Sequence, residues 1–532
     1  MPHLRRTRPK HVELRPALAV VCALLQLAAA SSAAAAGPAT NVLLVVVDNL
    51  RPAIGAYGDA SVVTPTIDAF AAQSALFAGA HCQVAWCAPS RNSFLSGRRP
   101  QVTRALNFLD SFREAPGAEQ WVTLPGAFKA SGFYTTGVGK VFHPNLPPAF
   151  DFPASWSDAP VCPTKEGCPG ATMSCPLPPS RADADVAAID ELLARLGNSS
   201  GAGRPPFFAA IGFQSPRLPW VYPAGEAARY PPAGEIPIAQ NRSADGLAPL
   251  EWFRPTEVDQ YSDVRNVSHG VPMADALQHE VRRAYYAAVS HVDTQLSRVL
   301  AFLDARALSN STVVAIVADH GQALGERNLW SMMSLLDAST QVPFMIRLPV
   351  GSVAPPRVYG GPVELVDLMP TLMALAGLPP APPEWALPGV DLSPFIRTGA
   401  PVAKDAAFSQ ISRCTNCSLA YGNESGQCAY DAAVDAAYSV PCALAPAPDF
   451  DVMGMSIRTA DFRYSAYCAW DGASLAANFS QCSSFELFDH RGESGVAPYF
   501  RPDGELVNVV DEEAFADVRD QLHARLEAQF SS

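Results

Sequence analysis

The chain has 532 residues, 48% of them hydrophobic and only 17% charged, and its formal net charge is −13. That is enough apolar material for one large α/β core, and too little charge for a disordered or coiled-coil chain. The acidic balance disfavours non-specific nucleic-acid binding, which needs a basic face, yet permits anions in a pocket where cations are concentrated.

Residues 1–36 read as an export signal: "LRRTRPKHVELR" is cationic, "PALAVVCALLQLAAA" is apolar and "SSAAAAGPA" is a run of small residues. Left uncleaved, the apolar stretch is long enough to act as a membrane anchor. Cleaved near Ala36, it delivers a chain to the secretory pathway without stable membrane insertion. The destination is then secretion or a lysosomal or vacuolar compartment. Cysteine usage fits that oxidising route. Of twelve cysteines, Cys22 lies in the signal, and the remaining odd number keeps at least one out of intramolecular bridges. With Cys87 set aside, ten are left for five disulfides. The "CTNC" stretch lacks a second pair at zinc-site spacing and reads as disulfide cysteines. Sequons at Asn198, Asn241, Asn266, Asn310, Asn416, Asn423 and Asn478 are those of a glycoprotein.

After the signal, short apolar runs alternate with helical stretches, the pattern of a mostly parallel sheet covered on both faces. Strands are predicted at Val42 to Val47, Tyr134 to Val138, Phe207 to Gly212, Thr312 to Ala318 and Pro343 to Leu348. Between them "TIDAFAAQSALF", "TLPGAFKASG" and the long "HEVRRAYYAAVSHVDTQLSRVLAFLDARAL" carry helical spacing. The last should bury Tyr285, Val289, Val292, Leu296 and Leu300. Pro-rich segments at 144–180 and 378–402 read as surface excursions. From about residue 413 the composition shifts to clustered cysteines and alternating strands. The expected division is a large domain over 37–412 and a smaller α+β subdomain over 413–532.

Ligands of open α/β sheets bind beyond the carboxyl ends of the strands, and here each end carries a reactive residue. The first strand runs into Asp48 and Asn49, the second into Lys140 and His143, the third into Arg217 and the fourth into Asp319 and His320. Asp48, Asn49 and Asp319 offer oxygen ligands for a hard divalent cation, with His320 beside them. Arg91, Lys140, His143 and Arg217 offer charge and donors for an oxyanion. A metal next to a cationic pocket suits a sulfate or phosphate ester. Cys87 precedes Pro89 and so sits at a helix start, where free amides and the helix dipole should lower a thiol's pKa. Arg91 falls on the same face. The competing reading of "HCQVAWC" is a Cys82–Cys87 bridge.

"CAPSR" and "GFYTTGVGK", together with "VDNLRP", "GKVFHP" and "ADHGQALGE", resemble the formylglycine-dependent sulfatases, above all the iduronate-sulfatase group, from about Asn41 to "ELFDHRG". The resemblance implies an alkaline-phosphatase-like α/β sandwich with a C-terminal subdomain. It implies that a formylglycine-generating enzyme oxidises Cys87 during export to an aldehyde whose hydrate attacks the sulfur of a sulfated carbohydrate. The second hydroxyl then expels sulfate. It implies calcium held by Asp48, Asn49, residue 87, Asp319 and His320. Arg91 and Lys140 would steady the nucleophile and the oxyanion, His143 would act as base or hydrogen-bond partner, and Arg217 would bind substrate.

Four positions depart from the family pattern. Asn49 replaces an aspartate, removing one negative charge from the cation site. Arg217 replaces a histidine and cannot act as an acid near neutral pH. The family's sulfate-binding lysine falls at Met332, with Arg327 the only cation close in sequence. Ser96 replaces Thr, Ala or Arg. Three functions are compatible with these residues: an active sulfatase, a sulfatase-like protein that binds sulfated glycans with little turnover, and a phosphoesterase or phosphonate hydrolase.

Overall fold

A computed structural model describes residues 40–531 except 166, 178–182, 200–202, 254–255, 265–266, 353, 415–441 and 503. The export signal, Cys417, Cys428 and the sequons at Asn266, Asn416 and Asn423 lie outside the described residues. No described helix is long and apolar enough to cross a membrane.

The core is a seven-stranded sheet made of β1 (Asn41–Val47), β2 (Ala75–His81), β3 (Tyr134–Gly139), β4 (Phe207–Phe213), β5 (Thr312–Ala318), β6 (Phe344–Arg347) and β7 (Arg357–Glu364), in the order β7-β2-β6-β5-β1-β4-β3. Only β6 runs antiparallel to its neighbours. Past their first residues β1 and β5 are wholly apolar, and they pair in register from Asn41–Thr312 to Val47–Ala318. Both are buried on both faces, which is why their sequences show no alternation.

The helices that matter for the site are α1 (Pro65–Ala71), α2 (Cys87–Ser96), α3 (Leu124–Ala130), α4 (Ala184–Ser199) and α5 (Asp275–Ala305). α5 buries Tyr285, Val289, Val292 and Leu296 as its spacing predicts, while Leu300 is only partly buried. One expectation fails: "TIDAFAAQSALF" is not one helix. α1 ends at Ala71, and "ALFAGAH" is β2, pairing with β6 and β7 far along the chain. A strand buried on both faces shows no period-two signal, so helix and strand look alike there. β7 was also unforeseen.

The second sheet is antiparallel, β8 (Ala407–Arg413), β9 (Val452–Arg458), β10 (Phe462–Asp471) and β11 (Ala476–Asp489), backed by α6 (Ala516–Phe530). Its first strand lies ahead of residue 413. Both sheets belong to one compact unit, Asn41–Ser532.

The disulfides found among the described residues are Cys168–Cys175, Cys414–Cys442 and Cys468–Cys482. Cys82, Cys87 and Cys162 are free thiols. Ten cysteines would suffice for five disulfides, but Cys82 and Cys162 take part in none. The Cys82–Cys87 bridge is absent.

Candidate active site

The strand ends deliver their residues to one place because the backbone lets them approach. Gly139 has φ of 70°, and a Cβ there would lie 2.1 Å from the carbonyl oxygen of Gly212, while a Cβ on Gly212 would lie 2.0 Å from the carbonyl carbon of Lys140. Two glycines thus let the ends of β3 and β4 close together, with the Lys140 amide bonded to the Gly212 carbonyl at 2.7 Å. Asn49 follows β1 with φ of 61°, a left-handed conformation that asparagine tolerates better than most residues. The Tyr285 hydroxyl of α5 holds its carbonyl at 2.9 Å.

Around Cys87, at the first turn of α2, the groups read from the strand ends converge. Asp48, Cys87, Asp319 and His320 place one ligand atom each within 4.8 Å of one another, and all four are buried. His320 Nε2 lies 3.2 Å from Cys87 Sγ, and Asn49 Oδ1 lies 4.0 Å from it. His320 Nδ1 faces the Gly321 carbonyl at 2.9 Å, so Nδ1 carries the proton and Nε2 turns its lone pair toward the cluster. Asn49 Nδ2 donates to Gln322 Oε1 at 2.7 Å and to Met332 Sδ at 3.3 Å, which turns its oxygen toward Cys87. Two carboxylates, an amide oxygen and an imidazole nitrogen, all buried, form a donor set that fits a hard divalent cation.

The cations clamp the acids. Arg91 donates from Nη2 to Asp48 at 3.0 Å and from Nε to Asp319 at 2.9 Å, and its third nitrogen donates to the carbonyls of Lys140 and Val141. Lys140 Nζ donates to Asp48 at 2.6 Å, and Arg217 Nε lies 3.5 Å from the same carboxylate. Burial works against the Asp48 charge, but Lys140, Arg91 and Arg217 together hold its pKa well below the usual carboxylate range. Asp319 goes the other way: burial raises it more than Arg91 and His320 lower it. Arg91 was expected to grip an oxyanion. Its nitrogens instead bridge the two aspartates.

The Cys87 thiol corrects another expectation. Burial, then Asp48, push its pKa up against the pull of Lys140 and Arg91. The helix start does not outweigh burial, so this is no ready thiolate nucleophile.

Above Cys87 opens a cavity of about 330 Å³ lined by Lys140, His143, Arg217, Glu257 and Met332, with Trp86 and Phe108 on its apolar side. His143 stacks on Phe108 with centroids 5.0 Å apart. Burial and then Lys140 push its pKa down to about 3. Its Nδ1 faces the Pro144 carbonyl at 3.1 Å, leaving Nε2 as an acceptor. Arg327 does not join the site; its guanidinium bonds the Asp245 carbonyl at 3.0 Å. Sequence reading missed Gln322 and Glu257. Gln322 stands inside "ADHGQALGE" and could have been noticed. Glu257 lies in the single helical turn Thr256–Asp259, and no sequence pattern singles it out.

A mostly parallel sheet whose strand ends gather buried acids, an imidazole and cations around one residue in the first turn of a helix defines a hydrolase of the alkaline-phosphatase-like α/β class. Residues 40–378 match the Sulfatase family model, and the chain belongs to the sulfatase family, an enzyme of that class. It is 34% identical over 498 residues to iduronate 2-sulfatase of Mus musculus, covering 85% of this chain and 88% of that protein. The Homo sapiens iduronate 2-sulfatase is likewise 34% identical, over 85% of this chain and 89% of its own length. Among solved structures, the phosphonate monoester hydrolase of Agrobacterium radiobacter superposes with a TM-score of 0.69 at 21% identity, covering 92% and 96% of the two chains. A 2-O GAG sulfatase gives 0.64 at 18% identity, covering 92% of each. These two establish the shared fold.

Proposed function

We propose that the protein hydrolyses a sulfate ester on a sulfated sugar or polysaccharide, with a formylglycine made from Cys87 as nucleophile. The observation that carries this reading is the position of a free Cys87 at the floor of the cavity, 3.2 Å from His320 and beside the Asp48–Lys140 pair. A buried thiol with a raised pKa is a poor nucleophile, so the residue makes more sense as a precursor than as the reacting group.

Asp48, Asn49, Asp319 and His320 would hold the cation, calcium by the oxygen-rich donor set, with residue 87 completing the shell. When bound, calcium supplies Lewis acidity, lowering the pKa of a coordinated hydroxyl and neutralising sulfate oxygens. The chain's own residues do the rest. Lys140 and Arg91 hold Asp48 in place and anionic. The neutral His143 accepts a proton at Nε2 from the group at position 87. Arg217, a third of whose side chain is exposed at 34%, reaches a sulfate oxygen from the cavity wall. The apolar Trp86 and Phe108 limit water at the reacting centre. Maturation by a formylglycine-generating enzyme places the protein in the secretory pathway, for secretion or for a lysosomal or vacuolar compartment.

Expressed in a secretory host, the tryptic peptide containing Cys87 should carry an aldehyde, and the protein should release sulfate from sulfated disaccharides faster than phosphate from aryl phosphates. An intact thiol on all material together with tight glycan binding would leave the glycan-binding reading, which Asn49 and Met332 favour.

A further inference from the structure

We propose that Glu257 is the proton donor to the leaving oxygen of the sulfate ester, a catalytic residue carried by the helical turn Thr256–Asp259. The inference rests on the sulfatase reading and supplies the component that reading leaves unassigned. A sugar oxygen departs as an alkoxide unless it is protonated while the sulfur–oxygen bond breaks, and a general acid speeds such a step by about 10²- to 10⁴-fold.

Few of the described groups lining the cavity can give that proton. Arg217 is a permanent cation, and Asp48 holds its charge against burial. His143 is neutral, with its Nδ1 proton committed to the Pro144 carbonyl. Lys140 is bound to Asp48 at 2.6 Å, on the side of the nucleophile. Met332, in contact with the Asn49 amide, has no proton to give. Glu257 is the carboxyl among the described lining residues. The Ser331 hydroxyl, which also lies 3.4 Å from Met332 Sδ, bonds its Oε2, and Oε1 has no side-chain partner among the described residues. Burial raises its pKa further than Ser331, Arg217, His320 and Lys140 lower it, so the acid form persists above the usual glutamate range.

In the step, the sulfuryl group passes to the nucleophile at position 87. The electron pair of the broken sulfur–oxygen bond goes to the sugar oxygen, which takes the Glu257 proton. The carboxylate left behind is reprotonated by water at the cavity mouth.

The test compares wild type with Glu257→Gln on 4-nitrophenyl sulfate, phenyl sulfate and a sulfated disaccharide, following kcat against pH. The variant should lose about 10²- to 10⁴-fold on the disaccharide and progressively less as the leaving group becomes a better anion. It should also lose the alkaline limb of the wild-type profile. Ser331→Ala removes a bond that favours the carboxylate, so it should move that limb to higher pH. Arg217, Lys140, His320 and Tyr261 also face Glu257 and remain in place in Glu257→Gln, so only a limb that disappears with the carboxyl counts. An equal loss on all three esters, or an alkaline limb that survives, overturns the role of Glu257 and leaves the sulfatase reading standing. A wild-type protein with the aldehyde in place that is inert to every ester overturns both.

Discussion

Asn49 and Met332 look like separate departures in sequence, but they touch: the amide donates to the thioether at 3.3 Å. Set against the aspartate and lysine that the family resemblance would put at these positions, they remove one negative and one positive charge and leave the local balance unchanged. An aspartate at 49 would set a charged oxygen against Met332 and the Gln322 side-chain oxygen without donors. Asn49→Asp should therefore cost about 1–3 kcal/mol in thermal melts without divalent cation. Adding Met332→Lys should recover most of it, and calcium should raise the melting temperature of both variants more than that of wild type. Additive effects of the two substitutions would show that the positions are independent. Lys140→Met tests the clamp on Asp48. Removing one partner leaves a buried carboxylate with Arg91 and the partly exposed Arg217, and a loss of about 3–5 kcal/mol is expected from chemical denaturation.

At the scale of elements, the site depends on β3 and β4 ending side by side. Gly212→Ala would place its Cβ against the Lys140 backbone, where no flexible side chain can move aside. Separation of the two strand ends should lower stability by about 1–3 kcal/mol. It should also lower kcat more than it raises KM, because Lys140 then leaves Asp48. An alanine variant with unchanged melting temperature and kcat would mean that the close approach of these ends is unimportant. The tie between α5 and the loop after β1 works in the same sense. The Tyr285 hydroxyl donates to the Asn49 carbonyl and accepts from the Arg51 amide at 3.1 Å, so a helix far along the chain orients a residue of the site.

Across the whole molecule, buried carboxyl groups shift in opposite directions on folding, and that makes stability depend on pH. Burial and then Glu251 raise the pKa of Glu486 on β11 to about 8, despite Arg463 and the Ala248 amide. The folded chain thus holds a proton that the unfolded chain releases near the ordinary value of 4.5. This contribution is complete below 4.5 and is lost as pH rises toward 8. Glu326 acts oppositely: burial would raise it, but Arg51 and Arg282 bring it down to about 2, so its contribution is complete above 4.5 and is lost as pH falls toward 2. Melting temperature should peak in mildly acidic buffer and decline toward pH 8. Glu486→Gln should flatten the decline while leaving the acid side unchanged, which differential scanning calorimetry across pH 3–9 would register. A decline unaltered by the substitution would assign it to other groups.

The amino-acid order determined by itself the strands buried on both faces and the reactive residues at their ends. β1, β4 and β5 are almost wholly apolar and β3 is rich in β-branched residues, and a reactive residue after such a run must emerge at the carboxyl edge of the sheet. Asp48, Asn49, Lys140, Asp319 and Cys87 were therefore legible, and the last was singled out by its motif. Only the tertiary structure decided that "ALFAGAH" is a strand, because that depends on edges supplied by β6 and β7 from more than 250 residues away. It also decided that Arg91 serves the two aspartates, that burial raises the Cys87 thiol, that Cys82 and Cys162 stay free, and that Glu257 faces the same cavity as Cys87. Local pattern reports which backbone a segment prefers and which face it hides. Burial, pairing and electrostatic partners arise from segments brought together only when the chain folds.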